Sequence, residues 1–380
     1  MTPLKPSLTC LILTALFVSS YHSSAEEVRG SMRSLLTPLR ELQPYMVDEV
    51  AFTDREHHDE VGALIQELRT NLHSIEGIPS RYQSLPGFQD NLKNLAELLD
   101  DASRRFSEGK TSYAWWRLQR VPTDCFTCHA TYKVESHYSN EEVIAQSLKP
   151  LERARFLLAT RQFSQAKEAL LKILQDPSYS IHFSQVLRSL LLVETRVSKD
   201  PKEGGAVFKR ILTSAPLPAE DASAVKRWVG GFSEWASAKP SKDNSGLKAG
   251  ERLILAGAAR GIDFRQDEVA LLRGTALVHD SIETQKLSLP QRRKALYLLG
   301  YAYTQLSQFF TEGWGEMYLE QCIHEFPNTL ESKWAFSIYR ESVVNDFTGS
   351  GGSHLPDEVK LHLEDLRQQA FGEPVFSPRL

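Results

Sequence analysis

The sequence predicts an all-α chain, a four-helix bundle followed by an α-helical solenoid. Three observations carry this expectation. Four segments between residues 26 and 138 repeat apolar side chains at three- and four-residue spacing, and short Gly/Pro-bearing loops join them. From residue 141 onward the pattern changes to helical pairs with small, apolar and proline residues at recurring positions. No βαβ patterning appears, and 380 residues are enough for two or more cores.

The start of the chain reads as a processing segment. Lys5 gives a weakly basic beginning, Leu11 to Val18 forms a short apolar core, and Ser23-Ser24-Ala25 offers a small-residue cleavage site. Residues 1–25 are therefore expected to be a signal peptide, with export to a periplasm. Tyr21, His22 and two serines end the apolar run too early for a span, and no other stretch is apolar enough to cross a bilayer. Cys10 precedes most of the apolar core and is badly placed for a lipid anchor. A formal net charge of −4 gives no case for a nucleic-acid partner.

Glu26 to Val47 reads as the first helix, with Met32, Leu35, Leu36, Leu39, Leu42 and Met46 on one stripe. Asp54-Arg55-Glu56 opens a second, lined by Val61, Leu64, Ile65, Leu68 and Leu72. Gly77, Pro79 and Pro86-Gly87 mark the connection to a third, which carries Phe88, Leu92, Leu95, Leu98, Leu99, Ala102 and Phe106 and closes at Gly109. A fourth runs from about Ser112 to Ser136. Pro122 should break or kink it, with Thr123 capping a new turn.

That fourth segment holds the one motif whose residues together spell out a specific chemistry, Cys125-Phe126-Thr127-Cys128-His129. Cys-x-x-Cys-His is the pattern of covalent haem attachment: two sulfurs add to the vinyl groups and the adjacent imidazole reaches the iron. On a helix, positions 125, 128, 129 and 132 share a face, so Tyr132 is expected to confront the macrocycle too. A zinc site would need a second ligand pair, but the remaining cysteine, Cys322, stands almost two hundred residues away. A redox dithiol would need βαβ surroundings. One covalent haem c is the expected cofactor. Cys322 is then an odd thiol, expected to be buried.

The order of parts resembles the cytochrome c-prime and cytochrome c556 family, over roughly residues 27–137. The local match is Cys125-Phe126-Thr127-Cys128-His129-Ala130-Thr131-Tyr132-Lys133, with an aromatic and a basic residue after the motif. The resemblance implies a bundle with its haem near the end of the last helix and His129 as proximal ligand. Tyr132 and Lys133 are expected to contact the haem, and Arg81 joins Lys133 as a partner for its propionates.

Antiparallel topology puts the start of helix one beside the end of helix four, so Met32 is the expected distal iron ligand. Met46 lies 14 residues on, about 21 Å along a helix, and is expected at the opposite end. Six-coordinate relatives in the resembled family also carry a methionine near the start of helix one. His73, late in helix two, is the competing ligand, while His57 and His58 read as surface residues.

Beyond residue 140, Ala154, Leu157, Phe163, Ala166, Leu170, Ile173 and Pro177 sit near the positions of a tetratricopeptide hairpin. Ala295, Leu299-Gly300, Tyr303 and Pro327 give a second match. Residues 141–345 are expected to form a tetratricopeptide-like solenoid. A linker with a flexible Gly349-Ser350-Gly351-Gly352 joint, a capping helix over 356–371 and a tail fill 346–380. No residue set there suggests catalysis; the aromatic stretch Tyr297 to Trp314 is a candidate concave surface for a protein partner. The functional expectation is a non-enzymatic, exported monohaem cytochrome that carries electrons to or from a protein redox partner docked on the repeats. A gas-binding protein, with Leu35 or Leu36 over an open iron, and a haem-bearing assembly scaffold are the alternatives.

Overall fold

The structure, a computed structural model, describes residues 32–75, 78, 80–132, 148–238, 246–259, 267–284, 286–306, 313–350 and 352–372, without the side chains of residues 80 and 81. The expected leader, Lys133 and the 138/141 boundary lie outside these residues, as does the side chain of Arg81. Among those described the chain is almost entirely helical. No described helix is long and apolar enough to cross a membrane.

By contacts the chain divides into two units, residues 1–84, 91–125 and 134–161 in one, and 85–90, 126–133 and 162–380 in the other. The division differs from a single break near residue 140, because short segments on either side of the bundle helices count with the second unit.

In the first unit, α1 (Leu36–Val47) ends where the sequence predicts, and Asp48 then accepts hydrogen bonds from the Val50 and Ala51 amides to start α2 (Glu49–Thr53). Asp54 caps a short 3-10 turn that leads into α3 (His58–His73), whose Val61, Leu64, Ile65, Leu68 and Leu72 are all buried. Next comes α4 (Phe88–Ser107), closed at Gly109, where φ is +76°. Pairings fix directions. Ser103 donates to Gln66, Arg69 to Asp100, and Phe106 stacks on His58, so α3 and α4 run antiparallel. Asn71 donates to the Ser34 carbonyl while Tyr45 packs on His57, so α1 and α3 do too.

The fourth predicted helix is two helices, α5 (Thr111–Leu118) and α6 (Val121–Tyr132). Pro122 is the cause: it has no N–H to give the Leu118 carbonyl, and its ring crowds that oxygen. Pro122 sits in the first turn of α6, where its missing donor costs nothing. Thr123 therefore lies inside α6 and is not its cap.

The broken end is sealed by α7 (Pro150–Ala159), which packs on α1. Arg155 donates to the Gln119 carbonyl at 3.0 Å and to Gln119 Oε1 at 3.1 Å, a cation at a helix C-terminus. Burial pushes this guanidinium down to about 10. Ala154 and Leu157 are thus in the first unit while Phe163 to Pro177 are in the second, which splits the hairpin read from sequence.

The second unit contains α8 (Phe163–Ile173), α9 (Phe183–Leu192), α10 (Pro201–Ser214), α11 (Ala219–Ser237), α12 (Gly246–Ala259), α13 (Glu268–Thr284), α14 (Leu289–Gln305), α15 (Trp314–Glu325), α16 (Leu330–Asp346) and α17 (Asp357–Phe371). Helices α10 and α11, α12 and α13, and α14 and α15 pack as sequential pairs, while α12, α14 and α16 touch in succession. Gly300 lets α14 and α15 close up; a Cβ there would stand 2.6 Å from Leu319. Thr348–Gly349 and Gly352–Ser353 form a two-residue antiparallel ladder, β1 and β2, where a flexible joint was expected. Helix α17 then packs on α15 and α16 through Leu363, Leu366 and Ala370.

Candidate haem-attachment site

Helix α6 decides the geometry of the motif. At 100° per residue, positions 126, 127, 130 and 131 form one face and 125, 128, 129 and 132 the other. Phe126, Thr127, Ala130 and Thr131 are buried, whereas Cys125, Cys128 and His129 are half-buried. Two thiols and an imidazole thus share the more open stripe of a helix anchored by its back. That donor set, open on one side and held on the other, fits covalent haem attachment.

Tyr132 continues the same stripe one turn on, but it is only 2% exposed. Its hydroxyl donates to the Pro86 carbonyl at 3.1 Å and lies 3.0 Å from the Tyr318 hydroxyl. Phe88, Trp314 and His279 pack on its ring. The phenol is bound into the core of the second unit.

The two methionines of α1 and its approach differ. Met32 is half-buried, with its carbonyl accepting from the Leu35 amide at 3.3 Å, and it belongs to the first unit. Met46 is fully buried; Gln119 donates to its carbonyl, and Gln43 donates to its thioether sulfur at 3.6 Å. Met46 therefore lies at the α5–α6 break, ten residues before His129.

His73, the competing ligand, holds Asp100 at 3.0 Å through Nε2. Burial alone would raise the Asp100 carboxyl, but the hydrogen bonds from Arg69 and His73 hold it below its ordinary value. His58 is exposed and stacks on Phe106 at 4.6 Å. Cys322 is a buried thiol whose Sγ reaches the Arg293 carbonyl, and burial, with Glu331 nearby, pushes it up to about 12. Among the described residues no group of three or more His, Cys, Asp and Glu side chains is gathered to hold a bare metal ion.

No family model, curated protein or solved structure matches this chain.

Sequence reasoning missed the residues behind the motif. Arg196 donates to Thr131 at 3.0 Å, to Thr275 at 2.6 Å and to the Tyr303 hydroxyl at 2.9 Å. Tyr303, having accepted from Arg196, keeps its proton for His279 Nε2 at 2.9 Å. Arg196 lies 65 to 107 residues from these hydroxyls, and no local pattern announces the pairings. The one local signal is structural: Arg196 sits in a π-helical turn, Val193–Ser198.

Only part of the aromatic stretch Tyr297 to Trp314 lines a groove. Tyr297 and Trp334, with ring centroids 5.6 Å apart, line a groove of about 630 Å³ together with Leu255 and Leu330. Leu255, Leu330 and Trp334 are each close to half exposed or more. Tyr303 and Trp314, by contrast, are buried in the aromatic core.

Proposed function

We propose that this chain is an exported monohaem c-type cytochrome that carries electrons, with a four-helix-bundle haem domain and a tetratricopeptide-like half for docking a protein partner. The observation that supports it best is the common half-open stripe of Cys125, Cys128 and His129 on a helix whose other face is buried. Cys125 and Cys128 form the thioether bonds and His129 is the proximal ligand. When bound, the haem supplies a one-electron couple. The residues of the chain hold it and screen it: Phe126 and Ala130 fix the helix from behind, and Met32 closes the distal position. Met46 and His73 are less suited to that role, the first because its sulfur already accepts from Gln43, the second because its ring is spent on Asp100. A neutral thioether opposite histidine stabilises the reduced iron and leaves no open site for a substrate.

The antiparallel α1–α3 and α3–α4 pairs support the bundle reading, and the sequential pairs of α10 to α15 support the repeat reading. Exposed Trp334, Leu330 and Leu255 in a groove support the docking role of the second unit.

The test is an optical spectrum of protein matured in a periplasm with haem-attachment machinery, oxidised, reduced, and reduced with carbon monoxide. A sharp low-spin reduced spectrum indifferent to carbon monoxide is expected. A high-spin spectrum that shifts with the gas would replace electron transfer by gas binding, and absence of covalent haem would overturn the reading.

A further inference from the structure

The π-helical turn Val193–Ser198 carries two charged side chains into the interior of the second unit, and their fates differ. Glu194 is fully buried and ion-paired with Lys167 at 2.7 Å. Arg196 is 5% exposed, and none of its partners is an anion. Its two terminal nitrogens donate to the hydroxyls of Thr131, Thr275 and Tyr303, and its Nε is buried without a hydrogen bond. Among the described residues no carboxylate lies within ion-pair distance of it. The guanidinium is thus a cation held on neutral hydroxyls, and no described carboxylate pairs with it.

Its position gives that charge a target. Thr131 is two residues after His129 on α6, so the guanidinium rests against the back of the same helical turn. A helix is about 10–12 Å across with its side chains, which sets the order of separation between this cation and an iron held on the front. In an apolar interior a charge at that range is poorly screened. Reduction adds one electron to the haem and takes up no proton, and a nearby fixed cation stabilises the product more than the reactant.

We infer that Arg196 is a positioning residue for the redox function, a buried cation held on neutral hydroxyls that raises the reduction potential of the haem. The inference rests on the haem reading above. It assigns to the repeat half a direct part in setting the driving force, alongside partner docking.

The experiment is a spectroelectrochemical titration of the full-length holoprotein beside Arg196→Lys, Arg196→Gln and Arg196→Met. The Gln and Met variants remove the charge with different packing, so either one that loads haem and folds gives the result. The expected result is a lower midpoint in Gln and Met with an unchanged low-spin spectrum, and a midpoint near that of the unaltered protein in Lys. An unshifted midpoint in a haem-loaded Gln or Met variant overturns the inference alone. So does a Lys variant that falls as far as Gln, since packing and not charge would then be responsible. A full-length protein with no covalent haem overturns the haem reading and this inference together.

Discussion

Tyr132 and Tyr318 place their hydroxyl oxygens 3.0 Å apart, and both reach the carbonyl oxygen of Pro86, at 3.1 and 3.2 Å. Two phenolic protons serve a carbonyl that has no helical partner. Burial pushes the Tyr318 phenol well above its ordinary value, with Tyr132 and Tyr303 adding to the effect, so Tyr318 keeps its proton across the working pH range. Tyr318→Phe should cost about 0.5–1.5 kcal/mol of unfolding free energy, because Tyr132 still satisfies Pro86. The double Tyr132→Phe, Tyr318→Phe change strands the carbonyl and should cost more than the sum of the singles. Urea unfolding of the three variants checks this.

Gly87 follows that carbonyl with φ +73°, and a Cβ there would stand 2.6 Å from Met317 and 2.7 Å from the Tyr318 hydroxyl. Gly87→Ala meets both a strained backbone and a collision. It should destabilise by about 1–3 kcal/mol or more, and the same unfolding curves report it.

Arg155 seals the end of α5, and its loss should be felt there. Arg155→Met keeps the stem and removes the donors, leaving the Gln119 carbonyl without this cation. The expected cost is about 1–3 kcal/mol. Hydrogen exchange at residues 115–121 should accelerate more than exchange in α3.

Met32→Ala should convert the haem of the matured protein from six- to five-coordinate and open it to carbon monoxide. Met46→Leu should leave the visible spectrum unchanged. An unaltered spectrum in Met32→Ala would remove Met32 from the iron.

Cys322 gives the pH prediction. Its thiol titrates near 9.0 when unburied and at about 12 in the fold. Between those values the unfolded chain has lost a proton that the native chain keeps. Stability from this group is therefore full below pH 9 and falls as pH rises from 9 toward 12. Cys322→Ala should flatten that part of the stability profile, and a thiol reagent should label Cys322 at the rate of local opening.

Much of the first unit was legible because it rests on local signals. Val61, Leu64, Ile65, Leu68 and Leu72 declare their helix by spacing alone, Asp54 opens it, and Pro122 breaks helix four by simple chemistry. The motif was legible for the same reason, since Cys125, Cys128 and His129 need only one helix to be brought together. What failed depended on distance along the chain. Gln119 meets Met46, 73 residues away, and Arg155, 36 residues away, and neither pairing has a local pattern to announce it. Arg196 was invisible, as an arginine in an apolar run gives no sign of three hydroxyls waiting from three other helices.

The interleaving of the two units bears on how this protein can be handled. Residues 85–90 and 126–133 belong with 162–380, while the stretches between them belong with the start of the chain. A knife placed anywhere near residue 140 would strip Tyr132 from Tyr318 and Thr131 from Arg196 in a single cut. Neither fragment would keep the back of α6 covered. Folding is thus an event of one undivided polypeptide, and a gene trimmed to its bundle alone should yield an aggregating product.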